Sequence, residues 1–257
     1  MLRLENINKT YNQGTVNESK LFADFNLTVN QGEFVSVVGS NGSGKTTTLN
    51  IICGSISIDS GRVWVNDRDI TKLKEYQRAK FIGRVYQNPS MGTCPSMNIL
   101  ENMSLADNKG KPFNLLPGIN KKRIDFYREQ LSRLKLGLED KLYVKVGALS
   151  GGQRQAMALL MSTMTPLDFL ILDEHTAALD PKTSEIIMEL TDEIVREKKL
   201  TTIMVTHNLR HAAAYGNRLI MMHEGGIIMD QSGAEKAKTH MEDLLAIFNS
   251  ISVECGN

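Results

Sequence analysis

The sequence predicts an α/β fold in which helices cover a mainly parallel sheet. Continuous apolar runs, typical of buried parallel strands, occupy 34–38, 169–172 and 202–205. Between the last two runs, an amphipathic pattern predicts a helix that Asp180 can cap and whose first position suits Pro181. A strand–helix–strand unit of this kind implies a parallel sheet covered by helices.

Local patterns predict several further elements. Alternating apolar residues indicate strands at 2–8, 25–29 and 62–66. A helix is expected at 46–52, directly after a glycine-rich segment. The tail 234–248 has a helical pattern, and we expect it to form one helix that docks on the core.

The stretch 88–148 differs in composition from the rest of the chain. It holds four of the six prolines, and its apolar spacing predicts a helix at about 121–136. We expect 107–120 to be an exposed loop. We interpret the chain as a single domain of 257 residues, in which a helical subdomain (88–148) is inserted into a core formed by 1–87 and 149–257.

Composition limits the class of function. The net charge is +1 with both signs interspersed, so a general electrostatic footprint for nucleic acid is absent. No apolar run approaches the roughly 20 residues that span a bilayer, and the first residues lack the apolar core of a signal peptide. The three cysteines are scattered, as expected for reduced thiols. We expect a cytoplasmic protein whose role at a membrane depends on a partner.

A phosphate-binding loop is predicted at 39–46, where the sequence fits the pattern G-x-x-x-x-G-K-[ST] between a strand and a helix. Backbone N–H groups and the helix N-terminus would face the phosphates. Lys45 should reach the β- and γ-phosphates, and the Thr46 hydroxyl should ligate Mg²⁺. The predicted nucleotide contacts here are Gly39, Ser40, Asn41, Gly42, Ser43, Gly44, Lys45, Thr46 and Thr47.

Two carboxylates end the buried strand at 169–172. Such a pair is costly unless a cation or hydrogen-bond donors neutralise it. Asp173 is therefore a candidate ligand of Mg²⁺, and Glu174 a candidate general base that polarises the attacking water. Taken alone, the pair would also fit a solvated strand end; the phosphate loop favours the functional interpretation.

The pentapeptide Leu-Ser-Gly-Gly-Gln at 149–153 lies between the phosphate loop and the acidic strand end. Ser150 can cap the helix predicted at 154–164, and glycines allow close approach to an anion. The segment therefore looks like a second phosphate-binding helix N-terminus, with an ordinary capped core helix as the alternative.

This order of motifs resembles the ATP-binding cassette ATPases over nearly the whole chain. The resemblance implies a P-loop NTPase (RecA-like) core with a mixed, mainly parallel sheet, an antiparallel β subdomain and an inserted α-helical subdomain. It also implies a head-to-tail dimer around two ATP molecules. In such a dimer Ser150, Gly151, Gly152 and Gln153 would face the γ-phosphate bound by the other subunit.

The resemblance assigns roles to several single residues. Tyr11 would stack on adenine, Gln87 would sense Mg²⁺ and the attacking water, and His207 would contact the γ-phosphate. Asp180 would belong to a loop that contacts the partner subunit. A surface tyrosine and a structural histidine are the plain alternatives for Tyr11 and His207. The other four histidines are interpreted as non-catalytic: His175, His211, His223 and His240. His175 stands where the family usually has proline.

The function implied is the ATP-hydrolysing motor of a membrane transporter, using ATP and Mg²⁺ at the cytoplasmic face of the membrane. Short runs resemble bacterial uptake systems, so import of a small organic solute such as an amino acid is expected. The first partner would be a permease, bound through the helical subdomain and the groove beside Gln87. The others would be a second, identical cassette and an extracytoplasmic binding protein. No nucleic acid is expected as a partner. The alternatives are a two-component exporter, a soluble ATPase acting on ribosomes or DNA, and a binding module without turnover, against which Glu174 argues.

Overall fold

The computed structural model describes residues 1–111 and 118–254, with side chains up to residue 249. The described strands are β1 (Leu2–Tyr11), β2 (Ser19–Val29), β3 (Phe34–Gly39), β4 (Ser60–Val65), β5 (Arg68–Asp69), β6 (Ile82–Val85), β7 (Phe169–Asp173), β8 (Thr202–Val205), β9 (Arg218–His223) and β10 (Gly226–Ser232). The described helices are α1 (Lys45–Cys53), α2 (Glu75–Arg78), α3 (Ile99–Asp107), α4 (Ile124–Ser132), α5 (Gly151–Ser162), α6 (Pro181–Lys198), α7 (Leu209–Ala214), α8 (Gly233–Lys236) and α9 (Met241–Glu254).

The central sheet has six strands in the order β10–β9–β3–β8–β7–β6. All neighbours in it are parallel except β9 and β10, which pair antiparallel. The predicted strands at 34–38, 169–172 and 202–205 are confirmed as the adjacent β3, β7 and β8. Because parallel strands end at one edge, the segments that follow these three strands lie side by side.

The second sheet is antiparallel, in the order β2–β1–β4–β5. The strands predicted at 2–8 and 25–29 are confirmed, but both are longer than predicted. The pairing of β1 with β2 shifts register three times between Leu4 and Thr10. Each bulge interrupts the two-residue alternation, so the sequence pattern stops before the strand does. The mixed sheet and the antiparallel sheet together confirm the predicted fold class.

The stretch 88–148 contains α3 and α4, whose apolar faces meet α5 in a buried cluster that includes Tyr127 and Met157. The single helix predicted at 121–136 is wrong in its bounds, because α4 ends at Ser132 and a 3₁₀ turn precedes it. Lys135, at φ +54°, is in a left-handed conformation that an α-helix does not allow.

The exposed loop predicted at 107–120 is wrong at its first residue. Asp107 belongs to α3 and is buried, where it accepts a hydrogen bond from the Tyr127 hydroxyl at 3.0 Å. Arg123 adds an ion pair to the same carboxylate at 2.8 Å. Residues 112–117 of the predicted loop lie outside the described residues.

The tail is two helices, so the single helix predicted at 234–248 is wrong. After α8, the Thr239 hydroxyl donates a hydrogen bond to the carbonyl oxygen of Glu235. The His240 N–H donates to the Asp243 carboxylate at 2.9 Å, and α9 begins at the next residue. The predicted docking is confirmed, because Leu244 is buried against Ala212 and Leu219. Among the residues that the structure describes, no helix is both long and apolar enough to cross a membrane.

Candidate functional site

The phosphate loop connects β3 to α1, and its shape depends on glycine at both ends. Gly39 has φ +153°, and a Cβ there would lie 2.1 Å from the carbonyl oxygen of Met222. Gly44 has φ +100°, and its Cβ would lie 2.7 Å from the ring of Phe22. Gly44 caps α1 without any side-chain hydrogen bond, so the first N–H groups of this helix remain available to an anion.

Lys45 is the cation of this loop. Its side chain is buried, and Nζ donates hydrogen bonds to the carbonyl oxygens of Gly39 and Ser40, both at 2.8 Å. Burial lowers the pKa of Lys45, whereas the negative charge of Glu174 acts in the opposite direction. A desolvated ammonium held only by neutral oxygens is suited to a phosphate, whose charge would complete its coordination.

A cavity of about 430 Å³ lies over the loop and gathers most of the predicted nucleotide contacts. Tyr11 stands at its side, and the Tyr11 hydroxyl lies 3.1 Å from Oγ1 of Thr47. Glu174 and His207 line the same cavity. The predicted contacts Gly39 and Ser40 do not line the cavity. The loop residues that do are Asn41, Gly42, Ser43, Gly44, Lys45, Thr46 and Thr47.

The candidate base and the candidate switch histidine are in contact. Nε2 of His207 lies 2.6 Å from Oε1 of Glu174, and the Glu174 carboxylate is 16% exposed. Glu174 follows β7 at φ +48°, and its N–H donates to the carbonyl oxygen of Val205 at 2.9 Å. A left-handed glutamate costs on the order of 1–3 kcal/mol, a strain typical of functional sites. The arrangement holds one carboxylate above the phosphate loop, where it could activate a water molecule.

The three predicted metal ligands are divided between two cavities. Thr46 faces the cavity over the phosphate loop, whereas Gln87 and Asp173 line a neighbouring cavity of about 360 Å³. Hydroxyl, amide and carboxylate oxygens are the donors that Mg²⁺ prefers, so the residue types fit the ion. Oδ2 of Asp173 is bound by Nη2 of Arg84 at 2.6 Å, while Oδ1 accepts no hydrogen bond from any described residue.

The signature pentapeptide forms the predicted cap. Ser150 Oγ accepts a hydrogen bond from the Gln153 N–H at 3.2 Å, and Gln153 Oε1 accepts one from the Ser150 N–H at 3.1 Å. This capping box starts α5 at Gly151, three residues before the predicted start at 154. None of the residues 150–153 lines the cavity over the phosphate loop of the same chain.

Two side chains near the site have contacts that the sequence analysis did not predict. Gln155 is buried in α5 and donates from Nε2 to the carbonyl oxygen of Tyr86 at 3.0 Å, directly before Gln87. Arg84 binds Asp173, as described above. The sequence offered only their positions as signals for these contacts. Gln155 lies two residues after the signature, and Arg84 lies three residues before Gln87.

His175 and Asp180 occupy structural positions beside the base. His175 is buried with Nε2 3.1 Å from the Thr191 hydroxyl, which itself donates to the carbonyl oxygen of Ile187. Burial, and next the charge of His211, lower the pKa of His175 to about 3. Asp180 caps α6 by accepting a hydrogen bond from the Thr183 N–H at 3.1 Å. Hydrogen bonding by the Thr183 side chain, and next by this N–H, lowers the pKa of Asp180.

The fold and this site define a nucleotide-binding α/β domain of the phosphate-loop class. The family described as ABC transporter matches residues 22–177 of the chain. Over 96% of its length the chain is 47% identical to a tyrosine transport ATP-binding protein of Clostridioides difficile (strain R20291), of which it covers 98%. It is also 32% identical, over 95% of its length, to the phosphonates import ATP-binding protein PhnC of Lactococcus lactis subsp. cremoris (strain SK11), of which it covers 98%.

Solved structures of cassettes have the same fold. The ADP conformation of MJ1267, an ATP-binding cassette of an ABC transporter, matches with a TM-score of 0.80 and 26% identity, covering 100% of this chain and 99% of that one. A dimeric, post-hydrolysis structure of the cassette MJ0796, bound to ADP and Pi, matches with a TM-score of 0.76 and 30% identity over 90% of this chain and 98% of that one.

The chain therefore belongs to the ABC transporter family, as its ATP-binding and ATP-hydrolysing subunit. The predicted family, fold class and enzymatic activity are confirmed, and so is nucleotide binding as a property of this domain.

Proposed function

We propose that this chain powers the import of an amino acid, with tyrosine as the first candidate. The observation that carries this proposal is the 47% identity with a tyrosine transport ATP-binding protein along 96% of the chain. Other relatives are import subunits for phosphonates and methionine, each 32% identical. Import is therefore better supported than export, and tyrosine better than other solutes.

The catalytic roles follow from the cavity over the phosphate loop. Lys45 and the N–H groups at the start of α1 bind the phosphates, and Tyr11 packs against the base of the nucleotide. Glu174 accepts the proton of the attacking water, and His207 holds the carboxylate in place through its 2.6 Å contact. Because Glu174 lies at the same edge of the sheet as the loop, the water that it activates is near the bound phosphates.

Thr46, Gln87 and Asp173 would hold Mg²⁺. When bound, the ion neutralises charge on the phosphate oxygens and so supplies electrostatic stabilisation. Lys45 supplies the corresponding positive charge from the protein. Gln87 reaches this region from the connection that follows β6, so it links the catalytic site with the segment 88–148.

Two copies of the chain would form two composite sites. Ser150 is exposed, and residues 150–153 do not line the cavity of their own chain, so their capped helix N-terminus is available to a nucleotide bound by another cassette. Dimeric structures of the related cassette MJ0796 support this arrangement. All motifs of the site are present in this single chain, which favours a homodimer.

The permease would bind where the segment 88–148 meets the core. A groove of about 410 Å³ lies there, bounded by Arg78 and Ile82 on one side and by Leu105 and Lys109 on the other. Leu105, in its lining, is 58% exposed, and Tyr76 and Met91, each next in sequence to a lining residue, are 67% exposed. Exposed apolar groups beside a groove indicate a protein contact. We propose that 88–148 acts as a helical subdomain, between core parts 1–87 and 149–257, and that this groove receives a cytoplasmic helix of the permease.

The complete system would place this chain at the cytoplasmic face of the membrane, with an extracytoplasmic binding protein delivering the solute.

The test is to purify the tagged chain from its native membrane and identify the accompanying proteins by mass spectrometry. A multi-spanning permease with a solute-binding protein is expected. Recovery of ribosomal proteins or nucleic acid without a membrane protein would contradict the proposal, and a permease that drives efflux would overturn its direction. A Leu105→Glu variant, altered in the lining of the groove, should lose the permease and keep ATP binding.

A further inference from the structure

The guanidinium of Arg84 lies between the candidate metal ligand and the groove. Arg84 is on β6, where its backbone pairs with Ile171 on β7, so its side chain reaches the end of the neighbouring strand. Nη2 is 2.6 Å from Oδ2 of Asp173, and the two side chains are only 12% and 14% exposed. This ion pair is therefore screened by solvent much less than a surface pair.

Apart from the Cys53 thiol, which burial keeps neutral by raising its pKa to about 11, the surroundings of Arg84 offer little to replace Asp173. Its Nε is buried and has no hydrogen-bond partner among the described residues, and its charged group lies 4.6 Å from the centre of the Tyr86 ring. The only carboxylate within ion-pair distance of Arg84, over 1–111 and 118–249, is that of Asp173. The side chain also lines the groove proposed to receive the permease, together with Glu75 and Lys109.

We propose that Arg84 competes with the divalent cation for the carboxylate of Asp173, and so sets the metal affinity of the nucleotide-bound site. The inference rests on the proposed role of Asp173 as a metal ligand. A guanidinium at 2.6 Å from the carboxylate repels a cation that approaches the same group, and so weakens the attraction that the cation would otherwise have for it. When the metal binds, Arg84 either gives up its ion pair with Asp173 or keeps it beside the metal. In both cases the positive charge of Arg84 weakens metal binding at this carboxylate.

The position of Arg84 gives this competition a second consequence. One guanidinium contacts the metal carboxylate and lines the groove, so the two sites share a single side chain. A partner in the groove that binds Arg84 and draws it away from Asp173 would therefore strengthen metal binding. By linkage, metal binding would strengthen the contact between Arg84 and that partner by the same factor.

The test measures how far Mg²⁺ tightens the binding of a fluorescent, non-hydrolysable ATP analogue to the purified full chain. The affinity is determined in EDTA and in rising Mg²⁺, and the ratio of the two affinities is the readout. Arg84→Met should increase this ratio by about tenfold or more, because it removes a buried positive charge beside the carboxylate. The affinity in EDTA should stay within about twofold of wild type, a change of no more than about 0.4 kcal/mol.

Arg62→Met is the matched control, since it removes the same charge from an exposed arginine on β4 and should leave the ratio unchanged. Arg84→Gln serves as a second neutral variant and should act in the same direction, so the test does not depend on Met being tolerated.

Asp173→Asn separates the inference from the proposed function. Loss of the Mg²⁺ effect in Asp173→Asn, with no gain or a decrease in Arg84→Met and Arg84→Gln, would overturn the competition and make Arg84 a support of the carboxylate. An unchanged Mg²⁺ effect in Asp173→Asn would instead remove Asp173 as a metal ligand, and both proposals about it would fail.

Discussion

Acid should lower the free energy of unfolding of this protein through His175, because this side chain is buried in its neutral form. His175 is buried with its pKa lowered from 6.5 to about 3, so the folded protein keeps it neutral. The unfolded chain binds a proton there at any pH below about 6.5, so between about pH 6.5 and pH 3 unfolding takes up a proton. The contribution of His175 is therefore complete above pH 6.5 and decreases as the pH falls.

The magnitude follows from linkage. Each pH unit below 6.5 costs about 1.4 kcal/mol of unfolding free energy until the folded-state pKa is reached. Between pH 7.5 and pH 5 the loss from this one group is about 2 kcal/mol, a large part of the roughly 5–15 kcal/mol that stabilises a typical domain.

The assay is urea unfolding of wild type and His175→Leu at pH 7.5 and pH 5, followed by circular dichroism. The variant loses the 3.1 Å contact with Thr191 at both pH values but has no proton to bind. The difference in unfolding free energy between the two proteins should therefore shift by about 2 kcal/mol in favour of the variant at pH 5. Substitution of the exposed His240 by Leu is the control and should show no such shift. Parallel loss of stability in wild type and His175→Leu would refute the reasoning.

Three further substitutions test the site. Glu174→Gln should lower ATP hydrolysis at least about 100-fold and accumulate an ATP-bound dimer on size-exclusion chromatography, because the amide cannot accept the proton; hydrolysis at the wild-type rate would remove Glu174 as the base. Ser150→Arg should abolish turnover while the nucleotide affinity of the monomer changes by less than about twofold; weakened monomer binding would contradict a site built from two chains. Gly39→Ala should weaken nucleotide binding about tenfold, since its Cβ would meet the Met222 carbonyl oxygen at 2.1 Å; Gly118→Ala, where a Cβ meets nothing within 4 Å, is the control in the same titration.

The elements that the sequence predicted well are those encoded by neighbouring residues. The phosphate loop needs glycine at 39 and 44 for its own backbone, and a buried strand shows directly as an apolar run. The cap of α5 is likewise local, because Ser150 and Gln153 bind each other's backbone. The residues of each such feature are close together in the chain, so the feature can be recognised from the sequence, although Gly39 and Gly44 also meet distant neighbours in the fold.

The features that the sequence did not show depend on the order of the strands. Arg84 meets Asp173 only because β6 lies beside β7, although 89 positions separate the two residues in the chain. Gln155 reaches the Tyr86 carbonyl oxygen for a similar reason, through packing of α5 on the sheet. The register shifts in β1 also arise from pairing with β2, so the alternation rule could not place the end of that strand.

The ends of several helices are set by capping side chains that the apolar pattern does not reveal. Asn98 and Glu101 form a capping box at the start of α3, a pattern visible in the sequence. In the tail, the break between α8 and α9 is stabilised by side-chain hydrogen bonds of Thr239 and Asp243, which compete with a continuous helix.

The most direct test of the central claim is ATP-driven uptake of labelled tyrosine by vesicles that contain this chain and the permease that co-purifies with it. The account predicts tyrosine accumulation that requires ATP on the side of this chain, is lost in Glu174→Gln, and is inhibited by unlabelled tyrosine more strongly than by phosphonate or methionine. Uptake that persists in Glu174→Gln, or ATP hydrolysis by the intact complex without movement of tyrosine into the vesicle, would contradict it.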